Sequence, residues 1–268
     1  MKLYQYTSIS TPERKEWLKS ILLDNLIYFR SRSALNDPLE LRPFVLTGTD
    51  ASEARRYVRK LSEKYFPDMS PAKRLIHINQ GIQRIRKSPN TQERAMHELL
   101  NLLGVLSFSE SPTINLLWSH YANGHKGVVV EFCSEVGIFA AARKVTYIEG
   151  RPSVNIAIDN PEYLIRNAVF TKGLEWAYEK EWRIISRWKG VNPNIMPGSI
   201  NGELYDFIQN QNGPSYYSFN PAAIKSVILG TEMPPEDYLW LTNIINKREE
   251  KMTIMKAKRT DDGSIVIT

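Results

Sequence analysis

The chain has 268 residues, of which 42% are hydrophobic and 24% charged, and it carries a formal net charge of +6. Such a composition can bury a sizeable core, and it excludes disorder, collagen and coiled coil as descriptions of the whole chain. Because Cys133 is the one cysteine, an internal disulfide and a Cys-rich zinc site are excluded as well.

We therefore expect no bound metal. No apolar run approaches the ~20 residues of a membrane helix, and Met1 to Tyr6 is typical of a strand rather than a signal peptide. These features predict a cytoplasmic protein that does not enter a membrane. Cys133 ends an apolar run, which favours a buried and inert thiol over a catalytic one.

Strand and helix signals alternate at the start of the chain. Lys2 to Tyr6 predicts a first strand, Ser10 to Leu23 a helix with an N-cap and an early proline, and Leu26 to Phe29 a second strand. A polar segment, Arg30 to Glu40, follows. Its Asn-Asp-Pro signal indicates a turn.

The segment 46–103 reads as a basic helical insertion. Apolar residues spaced by three and four predict helices over about 52–65, 70–86 and 91–103. Residues 51–103 hold eleven Lys or Arg and five Asp or Glu, so this segment carries the whole charge excess. The pattern indicates a nucleic-acid contact or, equally well, a solvated helical face. The candidate contact residues are Arg55, Arg59, Lys73, Arg84, Arg86 and Lys87.

From Gly104 onward the apolar pattern changes to a period of two or to short continuous apolar runs, which predicts a sheet. We expect a single α+β domain over 1–268 whose mixed, mostly antiparallel central sheet is flanked by helices. The predicted strands are 105–109, 128–133, 145–148, 182–186, 227–229, 253–257 and 264–268, the predicted helices are 115–122, 161–172 and 235–247, and 190–215 is rich in loop signals.

Three clusters could carry chemistry. In the first, Glu179, Glu181 and Arg183 recur at every second position, so an extended backbone places them on one face. They could hold a reactive carboxylate rigidly, or they could form a solvated edge with Glu–Arg pairs.

In the second cluster, His120 and His125 flank Tyr121 within a few residues. Two imidazoles can act as acid and base on a phosphodiester. Alternatively, His120 packs between elements and His125 caps a helix end. In the third cluster, Arg30 and Arg32 could hold phosphate oxygens, although the neighbouring residues also suit a simple Asx turn.

Taken in order, several motifs resemble a bacterial family, domain-of-unknown-function family 2971. They lie along most of the chain, with the basic insertion between the second and third. These motifs are LYQY at 3–6, IYFRS at 27–31 with LNDPLE at 35–40, LSFS at 106–109, LWSHYA at 117–122 with HKG at 125–127, Lys172 with WAYEKEWR at 176–183, and ILG at 228–230.

The Glu-x-Glu strand is more remotely similar to ADP-ribosyltransferases, which split NAD at the nicotinamide ribosyl bond. This resemblance implies that Glu181 is catalytic and Glu179 auxiliary. It also implies an aromatic wall and an arginine for the NAD substrate, for which Tyr121, Tyr178, Arg183, Arg30 and Arg32 are the candidates. The first strand departs from that superfamily because it lacks the expected Arg or His.

The leading hypothesis is thus an ADP-ribosyltransferase-like enzyme of bacterial conflict, either a toxin or a phage-defence effector, with a possible antitoxin or defence-system partner. A second hypothesis is an RNA-cleaving toxin that uses His120 and His125. A third is a non-enzymatic sensor or adaptor that binds nucleic acid through the basic helices.

Overall fold

An eight-stranded sheet forms the centre of the protein, and the computed structural model describes residues 1–46, 51–87, 91–155, 167–186 and 213–268. The strands are β1 (Lys2–Thr7), β2 (Leu26–Phe29), β3 (Phe44–Leu46), β4 (Gly104–Ser109), β5 (Val128–Cys133), β6 (Arg143–Lys144), β7 (Thr146–Ile148), β8 (Ser153–Asn155), β9 (Thr171–Gly173), β10 (Glu181–Ser186), β11 (Ser215–Ser218), β12 (Ile224–Leu229), β13 (Thr253–Arg259) and β14 (Ile265–Ile267). The helices are α1 (Pro12–Leu22), α2 (Ala51–Tyr65), α3 (Pro71–Lys87), α4 (Thr91–Asn101), α5 (Asn115–Tyr121) and α6 (Pro235–Ile245).

The strand order in the large sheet is β14-β13-β12-β5-β1-β4-β10-β6. Its neighbouring strands are antiparallel except for β12 and β13, which are parallel. The α+β class and the mostly antiparallel sheet are therefore confirmed. Short two-stranded ribbons accompany the sheet: β2 with β11, β3 with β8, and β7 with β9.

The main apolar core lies where α1 packs against the sheet. Thr11 caps this helix, since its hydroxyl accepts the Arg14 N–H at 3.3 Å, and the fixed backbone of Pro12 suits the first turn. One helical face buries Leu18 and Ile21 among aromatic and branched side chains of the central strands. Burial of this apolar stripe is what holds α1 in place.

The junction between β1 and β4 is short. In the described sheet these two strands are in register at one residue pair, Tyr4 opposite Ser109, whereas β1 and β5 are paired over six residues. Beside the junction, Arg30 at the end of β2 bridges to Val105 of β4. The sheet thus has an interrupted ladder near its middle, and the candidate site lies at this interruption.

The basic segment divides into two parts. Helices α2 and α3 pack on each other through their own apolar cluster, which includes Val58 and Ile78, and we call this pair the basic hairpin. Helix α4 instead buries Met96 and Leu100 in a different cluster, together with Val105 of the central sheet. The three predicted helices are therefore present, but α4 belongs to the body of the fold.

Two predictions from the sequence differ from the structure. Of the predicted helix 161–172, the described residues 167–169 are helical, but Thr171 and Lys172 belong to β9 instead, because β9 pairs with β7 in a parallel ladder. Cys133 ends β5 as expected, yet its side chain is half-exposed rather than buried. Residues 156–166, and most of the predicted loop 190–215, lie outside the described residues.

Candidate functional site

The candidate site is a cavity beside the junction of β1 and β4, which we call the central cavity. Its volume is about 100 Å³, which exceeds the space that a single water needs. The lining combines aromatic, charged and hydroxyl side chains from separate parts of the chain. Among them are Gln5, Tyr28, Arg30, Tyr121, Glu179 and Glu181.

Glu179 and Glu181 line this cavity, and the buried Arg183, which is outside the lining, binds Glu181. Glu179 ends a 3-10 turn, Lys180 adopts a left-handed backbone with φ of 48°, and β10 begins at Glu181. The three side chains are buried while Lys180 faces solvent, as the alternation predicted. At Glu179, the burial of the side chain results from the 3-10 turn rather than from an extended strand.

Arg183 is the centre of a buried ion-pair network. Its side chain is 0% exposed, and its Nε and Nη2 donate to the two carboxylate oxygens of Glu181 at 2.6 and 2.8 Å. Its Nη1 donates to the Val169 carbonyl at 2.7 Å, and Nη2 also contacts the Glu40 carboxylate. A planar guanidinium with these partners fixes the orientation of Glu181 and Glu40.

Lys172 adds a second cation between the carboxylates. Its Nζ lies 2.5 Å from Glu179 Oε2, 3.3 Å from Glu181 Oε2 and 3.8 Å from Glu40 Oε2. The ammonium group also lies 4.6 Å from the centre of the Trp176 ring. The network therefore contains three carboxylates and two cations, which leaves one excess negative charge when every group is ionised.

Burial and pairing act in opposite directions on these carboxyl groups. For Glu181, burial favours the neutral acid, but Arg183 and Lys172 outweigh it and lower the pKa to about 2. For Glu40, burial outweighs the attraction of Arg183 and raises the pKa to about 7. A proton on Glu40 therefore relieves the excess negative charge, and it binds there more readily than on Glu181.

Glu40 should therefore make the stability of the protein depend on pH. Because the pKa of Glu40 in the folded state lies above its ordinary value of 4.5, its contribution is present below pH 4.5 and is lost as pH rises through about 7. We expect Glu40→Gln to remove this loss. Between pH 4.5 and 7.5, the free energy of unfolding of the wild type should therefore fall by about 1–3 kcal/mol relative to that of the variant. Urea unfolding across that range measures the difference, and a constant difference would contradict the assignment.

Glu179 is held by groups that face the central cavity. The Tyr121 hydroxyl donates to Glu179 Oε1 at 2.7 Å and accepts a hydrogen bond from the Asn36 side-chain amide. Burial and the nearby Glu179 charge raise the pKa of Tyr121, so the phenol keeps its proton and its role as donor. Helix α5 ends at Tyr121 because Asn123 and Gly124 adopt left-handed backbones.

The two glutamates differ in the acceptor capacity that remains. A carboxylate offers about four lone-pair positions. At Glu181, Arg183 occupies two of these lone-pair positions, Lys172 occupies one and Ser107 another. Glu179 uses two, for Tyr121 and Lys172, among the described contacts. Glu179 is therefore the carboxylate with capacity left for a ligand.

The two candidate phosphate-binding arginines have different surroundings. Arg32 is buried and donates to the His97 carbonyl and to Asn101 Oδ1, both at 3.2 Å, which fastens the loop after β2 to α4. Arg30 lines the central cavity, and within the described residues its guanidinium makes no ion pair. Burial lowers the pKa of Arg30, as expected for a cation without a partner.

The remaining candidates lie away from the cavity lining. Tyr178 is half-buried and packs near Trp176 with ring centres 6.2 Å apart. His120 is exposed on α5, whereas the buried His125 ring stacks on Trp118 with its Nε2 3.4 Å from the Ser119 hydroxyl. No described contact joins the two imidazoles.

On the basic hairpin, five of the six candidate contact residues have exposed side chains. The side chain of Arg86 lies outside those that are described. The exposed members are Arg55, Arg59, Lys73, Arg84 and Lys87.

Sequence reasoning did not assign roles to Lys172, Glu40 or Tyr147. Lys172 and Glu40 stand in motifs of the family resemblance, which was the available signal. The Tyr147 hydroxyl accepts the Glu181 N–H at 2.7 Å and so fixes the start of β10. Within the described ranges, no set of three or more His, Cys, Asp or Glu residues is placed to hold a metal ion.

A family model matches the segment that holds most of the buried network. The family model described as protein of unknown function (DUF2971) matches residues 117–184, a segment that contains Tyr121, Lys172, Glu179, Glu181 and Arg183. No curated protein and no solved structure matches the chain. Among the described helices, none combines the length and apolar character needed to cross a bilayer.

Proposed function

We propose that the protein is an ADP-ribosyltransferase-like enzyme that cleaves the bond between nicotinamide and ribose in NAD. The observation that supports this proposal best is the charge arrangement of the central cavity. The carboxylates of Glu179 and Glu181 line the same cavity as Arg30, a cation without an ion-pair partner among the described residues. A ligand with a cationic ring at one end and phosphates at the other complements both.

The reaction develops positive charge on the ribose. The carbon–nitrogen bond breaks, its electron pair leaves with nicotinamide, and the ribosyl carbon then bonds to an oxygen or nitrogen of an acceptor, which loses a proton. A fixed carboxylate beside the sugar stabilises this charge in the transition state. The buried network holds its carboxylates in place before the substrate binds, so little reorganisation is needed.

The geometry favours Glu179 as the catalytic carboxylate. Its Oε1 is oriented by Tyr121, and it keeps acceptor capacity toward the cavity. Glu181 is bound on both oxygens by Arg183, so we assign it a positioning role through Lys172. This division reverses the roles that the resemblance to ADP-ribosyltransferases implies.

Incubation of the protein with NAD labelled in the adenosine part tests the proposal. We expect nicotinamide release, with label either transferred to an acceptor or recovered as ADP-ribose. The reaction should be run alone, with nucleic acid, and with bacterial extract, because the acceptor is part of the question. Absence of both nicotinamide release and transferred label in all three mixtures would rule out this activity.

The proposed setting is bacterial conflict, with the enzyme acting as a toxin or phage-defence effector and an antitoxin as its partner. The basic hairpin supplies a surface for nucleic acid, which would serve as the acceptor or as an anchor. On α2, Arg55 and Arg59 are four residues apart and exposed, and neither forms an ion pair within the described residues. Like charges at this spacing repel each other, and an anionic partner relieves the repulsion.

Charge reversal on the hairpin should therefore weaken nucleic-acid binding. We expect Arg55→Glu/Arg59→Glu to lower affinity for duplex RNA or DNA and to reduce the salt slope by roughly two, since each phosphate contact contributes about 0.9. Filter binding over a range of salt concentrations measures both quantities. Lys225→Glu/Lys258→Glu is the matched control, since it makes the same charge change at exposed sites on β12 and β13. Equal losses of affinity in both double variants would indicate that binding depends on the net charge of the protein rather than on a surface of the hairpin.

A further inference from the structure

The ribbon of β2 and β11 has one buried and one open face. Ile27 and Phe29 of β2 are 0% exposed, and Tyr217 of β11 packs on Phe29 with ring centres 4.7 Å apart. Side chains alternate along a strand. Tyr28 and, on β11, Tyr216 therefore belong to the opposite face of the ribbon.

On that opposite face, two tyrosines form a continuous aromatic surface. Tyr216 stands directly across from Tyr28 in the antiparallel register, and their ring centres are 5.0 Å apart. Tyr28 lines the central cavity, while Tyr216 is 50% exposed. The aromatic surface thus leads from the cavity to solvent.

Positive charge lies beside this surface. Arg30 is two residues beyond Tyr28 and lines the same cavity. Its guanidinium is partly buried and has no ion-pair partner among the described residues. Such a cation is stabilised when an anion binds beside it.

The geometry points to a subsite for a nucleoside diphosphate, whose base stacks on Tyr28 and Tyr216 and whose phosphates lie beside Arg30. This inference deepens the proposed function and rests on it for the identity of the whole substrate: the subsite would hold the ADP half of NAD while the nicotinamide ribose reaches Glu179. A cross-strand aromatic pair can also serve stability alone. Here, however, Phe29 and Tyr217 already hold the ribbon from its buried face.

Calorimetric titration of ADP into the full chain tests the subsite. Base stacking on an aromatic side chain is worth enough that its removal should weaken ADP binding at least about fivefold. Tyr216→Val removes the ring and keeps strand propensity, and Tyr216→Phe keeps the ring, so we expect the loss in the first variant only. Tyr238→Val, at an exposed tyrosine of α6, is the control that should bind ADP as wild type does.

Adenosine provides the matching test of the charged half. ADP should bind more tightly than adenosine, and Arg30→Gln should remove most of that advantage. Unchanged ADP binding by Tyr216→Val, with an unfolding temperature like that of wild type, would overturn the subsite, as would failure of the wild type to bind ADP. If ADP binds and Tyr216→Val weakens it while NAD is never cleaved, the subsite stands and the proposed reaction is wrong.

Discussion

Glu179→Gln should reduce NAD cleavage about 100- to 1,000-fold, the cost of removing one preorganised electrostatic group from a transition state. The amide has the shape of the carboxylate and can still accept the Tyr121 hydrogen bond, but it carries no charge to stabilise the ribosyl cation. Lys172 keeps Glu181 as a partner at 3.3 Å, so the fold should be retained. Initial rates of nicotinamide release, with thermal unfolding in parallel, measure the two effects separately.

Glu175→Gln is the matched control for this variant. Glu175 lies in the same 3-10 turn as Glu179, but its side chain is exposed. Its replacement should leave the cleavage rate within about twofold of wild type, because surface substitutions seldom change stability or function strongly. The assignment would be wrong if Glu179→Gln is folded and cleaves NAD at the wild-type rate while Glu181→Gln is folded but inactive. Glu181 would then be the catalytic carboxylate.

Much of the fold could be predicted from the sequence because local patterns determine it. The short apolar runs Val128 to Cys133 and Trp182 to Ser186 predict strands, and the structure contains both. The sequence predicts Thr171 and Lys172 as the end of a helix, whereas they lie in β9, whose strand character comes from pairing with β7, more than twenty residues away. Nonlocal pairing of this kind has no signature in a short window.

The sequence predicts part of the candidate site, because it groups residues that are close along the chain. Glu179, Glu181 and Arg183 are close in sequence, so their spacing was sufficient to group them. Glu40 reaches Arg183 across 143 positions, and Tyr121 reaches Glu179 across 58. These contacts depend on the strand order of the sheet, which the apolar pattern does not specify.

Arg183→Met is expected to destabilise the protein by about 3–5 kcal/mol, the typical cost of removing one partner from a buried ion pair. Without the guanidinium, Glu40, Glu179 and Glu181 remain buried with Lys172 as the one nearby cation of the network. The loss is large compared with the ~5–15 kcal/mol that stabilises an ordinary protein. Urea unfolding at neutral pH measures it.

The loss of stability in Arg183→Met should also depend on pH, in a defined direction. Although burial acts in the opposite direction, Arg183 and Lys172 together lower the pKa of Glu181 to about 2, so the stability that this carboxylate contributes is present above pH 4.5 and is lost as pH falls toward 2. The deficit of Arg183→Met should therefore shrink on acidification. Arg143→Met is the control, because Arg143 lies opposite Arg183 on β6 but is exposed, and its loss should stay within about 1 kcal/mol. Equal losses in the two variants, or a deficit that does not change with pH, would mean that the buried network does not stabilise the fold through its charges.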